Sequence, residues 1–448
     1  MNSNYKRPPL SLLCDYDNDY VSDDEVESNK QMILAALNEM GLSACVDIVG
    51  VTATYSEYAV GLLNEAGKKV KLSDSDSPVS YHTLIKDCGL FNAENIIAEY
   101  DHSCGHITVS VPNIKPSVLG LKELLQDATN SDFDHKLLGF KIGRDIHGKD
   151  VFFSLAYDSQ DYVIAGENDE ERNCCLRSII TSLLYSFSPK GMRFIFISLD
   201  GDTLKSFAHI PHLLIDEIIT EPDRIMKVLN WARDEMKRRM QLLEKGLDGK
   251  TPCNEVVYNQ SVDNDKKLPE IVIVIDGYVD PEFPYVKELE KRLDRLVDMP
   301  FGIHLIFSVK NWSAHPLNFI GTRLAFKAGS EKWSRLWLKG HRGAEKLTGH
   351  NDMLIYLPKY GKLTRVQGCY VSEEEVKAVT DFIIKNNELS FDDEVKEYID
   401  THDIGDCSGV TIIGFGGTMA EWRRTGLGNN ALDKGRFIIR CSDGDIVC

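Results

Sequence analysis

Long hydrophobic runs are missing from this sequence. No stretch of the 448 residues approaches the ~18–20 consecutive apolar residues that a membrane helix needs, and the segment from Met1 to Asp15 carries charges and prolines where a secretory leader would be apolar. The expectation is a soluble, cytoplasmic chain with no membrane segment. Paired cysteine motifs are missing as well. The 11 cysteines are scattered without a Cys-x-x-Cys spacing, and Cys174 and Cys175 fall in an apolar run that reads as buried helix. Reduced core thiols are expected rather than a disulfide framework. His102-Ser-Cys104-Gly-His106 has the residue types of a metal cluster, but the strand-like Ile107-Thr-Val-Ser-Val111 that follows fits a hairpin better, so no metal is expected. Basic charge is in deficit, with 51 Lys+Arg against 69 Asp+Glu and a net charge of −18. That excludes a surface coated for non-specific nucleic-acid binding, but leaves room for a local basic channel in an acidic shell.

What is present is globular. A hydrophobic fraction of 43% and a charged fraction of 27% rule out disorder and fibres. The length exceeds what one core serves, so roughly two or three domains are expected. Residues 1–22 form a polar N-terminal segment around Pro8-Pro9-Leu10, ending in the N-cap signature Ser22-Asp-Asp-Glu25. Residues 23–116 read as a small α+β domain: a helix from Val26 to Met40 stopped by Gly41, β-like runs over Ala44–Ala53 and Lys68–Leu72, a helix near Val79–Ile85, and a strand over His106–Val111.

From 117 to 390 the pattern changes. A helix is expected over Ser117–Leu125, then short glycine-punctuated strands over Leu137–His147. Apolar strands follow at Tyr162–Ala165, Arg193–Ser198, Ile271–Ile275, Gly302–Phe307 and Arg323–Phe326, alternating with helices at Asn173–Phe187 and Asp223–Glu244. Strands alternating with helices mean a parallel sheet flanked by helices. Lys237, Arg238 and Arg239 are expected on the surface of the second helix, Asn254–Lys267 as a mobile loop, and Glu373–Asn387 as a helix. The tail, 391–448, reads as acidic and then Gly-rich, without clear periodicity.

Strand, tight turn and helix is the setting of a phosphate-binding loop, and Gly166-Glu-Asn-Asp-Glu-Glu-Arg172-Asn173 occupies that turn. Such loops aim backbone N–H groups at phosphates, reach the β- and γ-phosphates with Lys, and hold Mg²⁺ with a Ser or Thr hydroxyl. Only Gly166 meets those demands.

Ala165-Gly166, Cys175-Leu-Arg-Ser-Ile-Ile-Thr-Ser-Leu-Leu184, Ile210-Pro-His-Leu-Leu214, Trp231-Ala-Arg-Asp-Glu-Met236, Ile271-Val-Ile-Val-Ile-Asp276, Gly302-Ile-His-Leu-Ile306, Gly343-Ala-Glu-Lys-Leu347, Asp352-Met-Leu354 and Gln367-Gly368, in this order, closely resemble the motor module of the FtsK/SpoIIIE DNA translocases. Tyr5-Lys-Arg-Pro-Pro-Leu10 and Val109-Ser-Val-Pro-Asn113 resemble the start and close of that family's α domain. The resemblance implies an α/β, RecA-like P-loop NTPase core at 117–390 that assembles as a hexameric ring around double-stranded DNA, with an FtsK-like α domain at 23–116. The family's C-terminal winged-helix domain has no counterpart in 391–448.

Set on the family loop G-x-T-G-S-G-K-S, this chain keeps Gly166 and places Asp169, Glu170, Glu171, Arg172 and Asn173 at the last five positions. Each carboxylate repels a polyphosphate by about 1 kcal/mol at 4 Å in water and ~4 kcal/mol at an effective dielectric of about 20. Arg172 and Asn173 are poor substitutes for the Lys and the hydroxyl, so Gly166, Arg172 and Asn173 mark a degenerate cofactor site. Asp276 is the remnant Mg²⁺-side aspartate, and Gly277 stands where the family's catalytic acid orients water. The family's Asp-Pro-Lys reads Ser198-Leu199-Asp200, and its sensor-like Gln reads Lys310. The bland reading gives Gly166 only the role of ending a strand, and Asp276 that of a solvated acid. Arg323 and Arg335 match arginines near the family's subunit boundary, where one acts in trans on a neighbour's phosphate; a surface salt bridge is the simpler account. Lys327, Lys332, Arg335, Lys339, Arg342 and Lys346, interleaved with Trp333 and Trp337, are the DNA-contact candidates against a solvated helix face.

The reading is a pseudoenzyme of the chromosome-segregation motor family, a ring-forming or DNA-associated homologue with no cofactor expected. The alternatives are an active translocase using ATP and Mg²⁺ in a divergent pocket, or a subunit of a mixed ring with an active paralogue.

Overall fold

A computed structural model describes residues 5–16, 21–69, 96–101, 106–126, 139–155, 161–199, 202–246, 255–263, 266–277, 301–310, 320–358 and 361–404, with short pieces at 289, 292–293, 296, 411–412, 438–441 and 444–447. Helix α1 (Asp23–Glu39) starts where Ser22 accepts a hydrogen bond from the Glu25 amide, and three acids in its first turn complement the helix dipole. Gly41, at φ 75°, turns the chain out of it. Val26, Ile33 and Leu37 bury its inner face against a four-stranded antiparallel sheet ordered β1-β2-β4-β3, from β1 (Ala44–Val51), β2 (Tyr55–Leu62), β3 (Ile97–Asp101) and β4 (His106–Pro112). The helix expected near 79–85, the cluster His102–Cys104 and most of 68–72 lie outside the described residues.

The second unit is mixed α/β. Its sheet holds β5 (Gly139–Arg144), β6 (Asp150–Ser154), β7 (Asp161–Ala165), β8 (Met192–Ser198), β9 (Leu213–Ile219), β10 (Glu270–Asp276), β11 (Ile303–Val309), β12 (Thr322–Ala325), β13 (Asp352–Leu357) and β14 (Lys362–Gly368). The order is β6-β5-β14-β13-β12-β7-β11-β10-β8-β9. The block from β12 to β9 is parallel, and β13, β14, β5 and β6 continue it as an antiparallel wing. Strands β7, β10 and β11 are buried at every position because both faces are covered. One face carries Tyr162, Ile164, Val272 and Val274 under helix α3 (Asp169–Ser186). The opposite face carries Val163, Ile271, Ile273 and Ile275 under helix α4 (Pro222–Lys245).

Several expectations need correction. Residues 117–120 are extended, tied by Ser117 N–H to Ala53 O and by a bridge from Gly120 to Tyr370, so helix α2 begins only at Leu121 (Leu121–Gln126). The polar stretch expected as a mobile loop contains helix α5 (Glu255–Ser261), whose Asn259 side chain pairs with both backbone groups of Leu268. Arg239 is not on the surface: at 1% exposure it donates to the carbonyls of Phe301, Gly302 and Pro269 and pairs with Glu235. After the short helix α6 (Glu331–Trp337) and the expected α7 (Glu373–Asn386), the tail continues as helix α8 (Asp393–Thr401). Asp392 caps α8, Val395 and Ile399 bury it, and Tyr398 donates to Asp234 of α4. Farther on, β15 (Thr411–Ile412), β16 (Ile438–Cys441) and β17 (Gly444–Val447) form a small antiparallel sheet. The N-terminal segment crosses the large unit, where Tyr5 donates to Leu184 O, and the Cys14 amide and Tyr16 hydroxyl both donate to Glu375 of α7.

The two units meet at a buried charge. Asp352 on β13 is fully buried and accepts two hydrogen bonds from Arg365 on β14, at 3.0 and 2.7 Å. The guanidinium lies 3.5 Å from the ring centroid of Tyr55 on β2. Beside it Thr54 donates to Gln367. No described helix is long and apolar enough to cross a membrane.

Candidate nucleotide site at the sheet edge

The parallel register of β7, β11, β10 and β8 brings the expected nucleotide-site residues to one end of the sheet. Ala165 pairs with Val309, Asp276 with Ser308, and Ser198 with Asp276. Gly166, Gly277, Lys310 and Leu199 therefore leave the sheet side by side at its carboxyl end, where open α/β sheets place ligands.

The loop between β7 and α3 is short and closed by its own groups. The helix begins at Asp169, with Asn168 as its cap accepting from the Glu170 amide. The Gly166 amide points at Val309 O (3.4 Å) and the Glu167 amide at Lys327 O (3.5 Å). Arg172 folds back over the turn, donating to Gly166 O and to Asp169, both at 2.7 Å. Lys310 reaches Asp169 from the end of β11 at 3.0 Å. Burial disfavours ionised Asp169, but hydrogen bonds from Lys310 and Arg172 outweigh it and hold its pKa below the usual carboxylate value. Two cations suited to a phosphate are thus spent on a carboxylate. Glu167 accepts from the Gly329 amide, and Glu170 pairs with the buried Arg177. Asn173 is half-buried on the first turns of α3.

On the other side of the turn lies a cavity of about 550 Å³, lined in part by Glu167, Glu171, Lys327, Asn351 and Gln367. Glu171 is 5% exposed, and its Oε1 accepts from the Asn351 amide at 3.4 Å. Burial raises its pKa to about 7; the Asp352 carboxylate adds to the rise, while the amides of Asn351 and His350 and the charge of Lys327 oppose it. Nothing in the sequence pattern tied Glu171 to residues 349–351, although Gly, His and Asn are residue types that enter left-handed backbone more readily than others.

Asp276 is 4% exposed at the end of β10. Gly277 has φ 108° and donates to Ser308 O, so a carboxylate-bearing residue there would adopt a backbone that side chains disfavour. Arg323 is 1% exposed, and its guanidinium donates to Ile320, Leu336 and Trp337 carbonyls. Burial lowers its pKa to about 9. Arg335 is exposed and pairs with Glu331. Lys332, Lys339 and Arg342 are exposed, Lys346 is half-buried, and Lys327 faces the cavity, so the basic stretch is split between two surroundings. Trp337 is fully buried and packs 6.1 Å from Trp333, which makes it part of the core rather than a stacking surface for bases. Among the described residues no group of His, Cys, Asp and Glu could hold a metal.

Residues 121–321 match the model of the FtsK/SpoIIIE family. Among curated proteins the chain is similar to DNA translocase FtsK of Rickettsia typhi, 27% identical over 431 residues, covering 87% of this chain and 56% of that protein. The corresponding protein of Staphylococcus epidermidis is 29% identical over 410 residues, covering 88% and 49%. That of Clostridium tetani is 33% identical over 307 residues, covering 66% and 40%. The chain spans about half the length of these curated relatives. Among solved structures it is similar to the pCW3 conjugation coupling protein TcpA with ATPγS, with a TM-score of 0.49 and 16% identity over 80% of this chain and 99% of that one. The cytoplasmic domain of the Thermomonospora curvata type VII secretion ATPase EccC gives a TM-score of 0.49 and 19% identity over 61% and 35%.

Proposed function

We propose that this chain is a non-hydrolysing relative of the FtsK/SpoIIIE DNA translocases, a pseudo-motor that keeps the motor fold for assembly and for contact with double-stranded DNA. The observation that carries this reading is the closed turn at Gly166–Asn168. The amides of Gly166 and Glu167 turn toward Val309 O and Lys327 O, Arg172 and Lys310 are held by Gly166 O and Asp169, and helix α3 already begins at Asp169. Four carboxylates, Glu167, Asp169, Glu170 and Glu171, stand in and just after the turn, and a carboxylate left ionised ~4 Å from a phosphate repels it by about 4 kcal/mol at an effective dielectric of about 20. Gly277 leaves water without a positioned base. On this reading residues 23–116 and 117–390 serve as the FtsK-like α domain and RecA-like domain of a ring, alone or with an active relative.

The test is equilibrium binding of labelled ATP beside hydrolysis, each with and without duplex DNA. No Mg²⁺-dependent binding and no turnover are expected. Micromolar binding with DNA-stimulated turnover would overturn the reading in favour of an active translocase.

A further inference from the structure

We propose that the cavity retains a seat for a small oxyanion, formed by the turn Gly349–Asn351 and Lys327, and that the carboxylate of Glu171 occupies this seat from within the chain. The inference rests on the reading above and says what blocks the site: an internal anion rather than a lost surface.

Three successive residues, Gly349 (φ 85°), His350 (φ 56°) and Asn351 (φ 64°), take left-handed backbone. Such conformations cost side-chain-bearing residues roughly 1–2 kcal/mol each, and they persist only where surrounding contacts impose them. The contacts are present. Thr348 donates to Asp352 through both its amide and its hydroxyl, Gln367 donates to His350 O, and Gly368 donates to Asn351 O. Asp352 is itself gripped by Arg365 under Tyr55. Successive amides held in such a turn form a concave nest that takes an anion.

A carboxyl group is there already. The Asn351 amide donates to Glu171 Oε1, and a Cβ built on Gly349 would stand 3.4 Å from the same oxygen. The fit is poor. Tethered to α3, the carboxylate stays 3.4 Å from a donor that prefers about 2.9 Å. Its second oxygen, Oε2, is buried and has no hydrogen-bond partner among the described residues. Lys327 supplies a cation on the cavity wall that favours ionised Glu171. A phosphate or sulfate ion, free to settle among the amides and Lys327, matches the seat better than the tethered side chain.

The experiment uses the full chain at pH 8, with Glu171 ionised, and titrates inorganic phosphate and, separately, ADP by calorimetry. Glu171→Ala should bind phosphate at least about tenfold more tightly than the unmodified protein. Lys327→Gln added to Glu171→Ala should remove most of that gain. An equal gain for ADP assigns the natural anion to a nucleotide phosphate, and a gain confined to inorganic phosphate assigns it to the free ion; both support the seat. If Glu171→Ala does not fold, Glu171→Gln keeps the bulk and removes the repulsion, and phosphate affinity should still rise about threefold. Unchanged phosphate affinity in a folded variant overturns the seat alone, whereas micromolar ATP binding by the unmodified chain overturns the non-hydrolysing reading instead.

Discussion

Glu171→Gln should stabilise the protein, and by an amount that grows with pH. Glu171 has its pKa raised by burial from an ordinary 4.5 to about 7, with Asp352 adding and the amides of Asn351 and His350 and the charge of Lys327 subtracting. A carboxyl whose folded value lies above its unfolded value contributes stability when protonated, and that contribution is lost as pH rises from about 4.5 to 7. Relative to a neutral side chain, linkage puts the cost of Glu171 at under about 1 kcal/mol at pH 5 and about 3 kcal/mol at pH 8. Glutamine has the same shape and no charge, and its amide oxygen still accepts from the Asn351 amide. Titration of every other group cancels when variant and unmodified protein are compared at the same pH. The Tm of Glu171→Gln minus that of the unmodified chain should therefore widen between pH 5 and pH 8 by roughly 5–10 °C, taking about 2–4 °C per kcal/mol for a unit of this size. Calorimetric scans at four or five pH values in one ionic strength would measure it. A constant difference across that range would refute the claim that burial raises the Glu171 pKa, and a difference that narrows with pH would reverse its sign.

Arg365→Leu should cost about 3–5 kcal/mol in urea unfolding, because it strands the buried Asp352 carboxylate, and replacing both residues with leucine should cost less than the single change. A single change costing under about 1 kcal/mol would show that water reaches Asp352. For DNA, each phosphate contact steepens the dependence of log K on log salt by about 0.9. Converting the exposed Lys332, Arg335, Lys339 and Arg342 to glutamine should flatten the slope by about 2 to 4 if this face meets phosphates, and an unchanged slope removes it from the DNA interface.

The parts of the fold that could be read in advance are those written in local pattern. The unbroken apolar run Ile271–Ile275 of β10 and the mostly apolar run of β11 announce strands covered on both faces, and Ser22 and Gly41 bracket α1 by their own chemistry. What could not be read depends on distant partners. Helix α8 shows only Val395 and Ile399 to the core, and its place is set by Asp234 and Arg224 on α4. Arg239 looks like one more surface cation in a basic run until the carbonyls of Phe301, Gly302 and Pro269 converge on it. The antiparallel wing joins β14 to β5, segments more than 200 residues apart. The candidate site divides in the same way. Carboxylates in place of glycines are visible in the sequence, and electrostatics gives their sense. That Lys310 crosses 141 residues to hold Asp169, and that Glu171 turns toward 349–351, are facts of three-dimensional arrangement.

The stacking of Arg365 on Tyr55 makes a buried ion pair of the large unit depend on a side chain of the small one. Recombination that exchanged the four-stranded unit between relatives would bring in whatever residue stands at position 55, and only an aromatic face there keeps the guanidinium covered while it holds Asp352. Chimaeras with breakpoints near residue 117 should therefore succeed or fail on that one side chain more than on overall similarity.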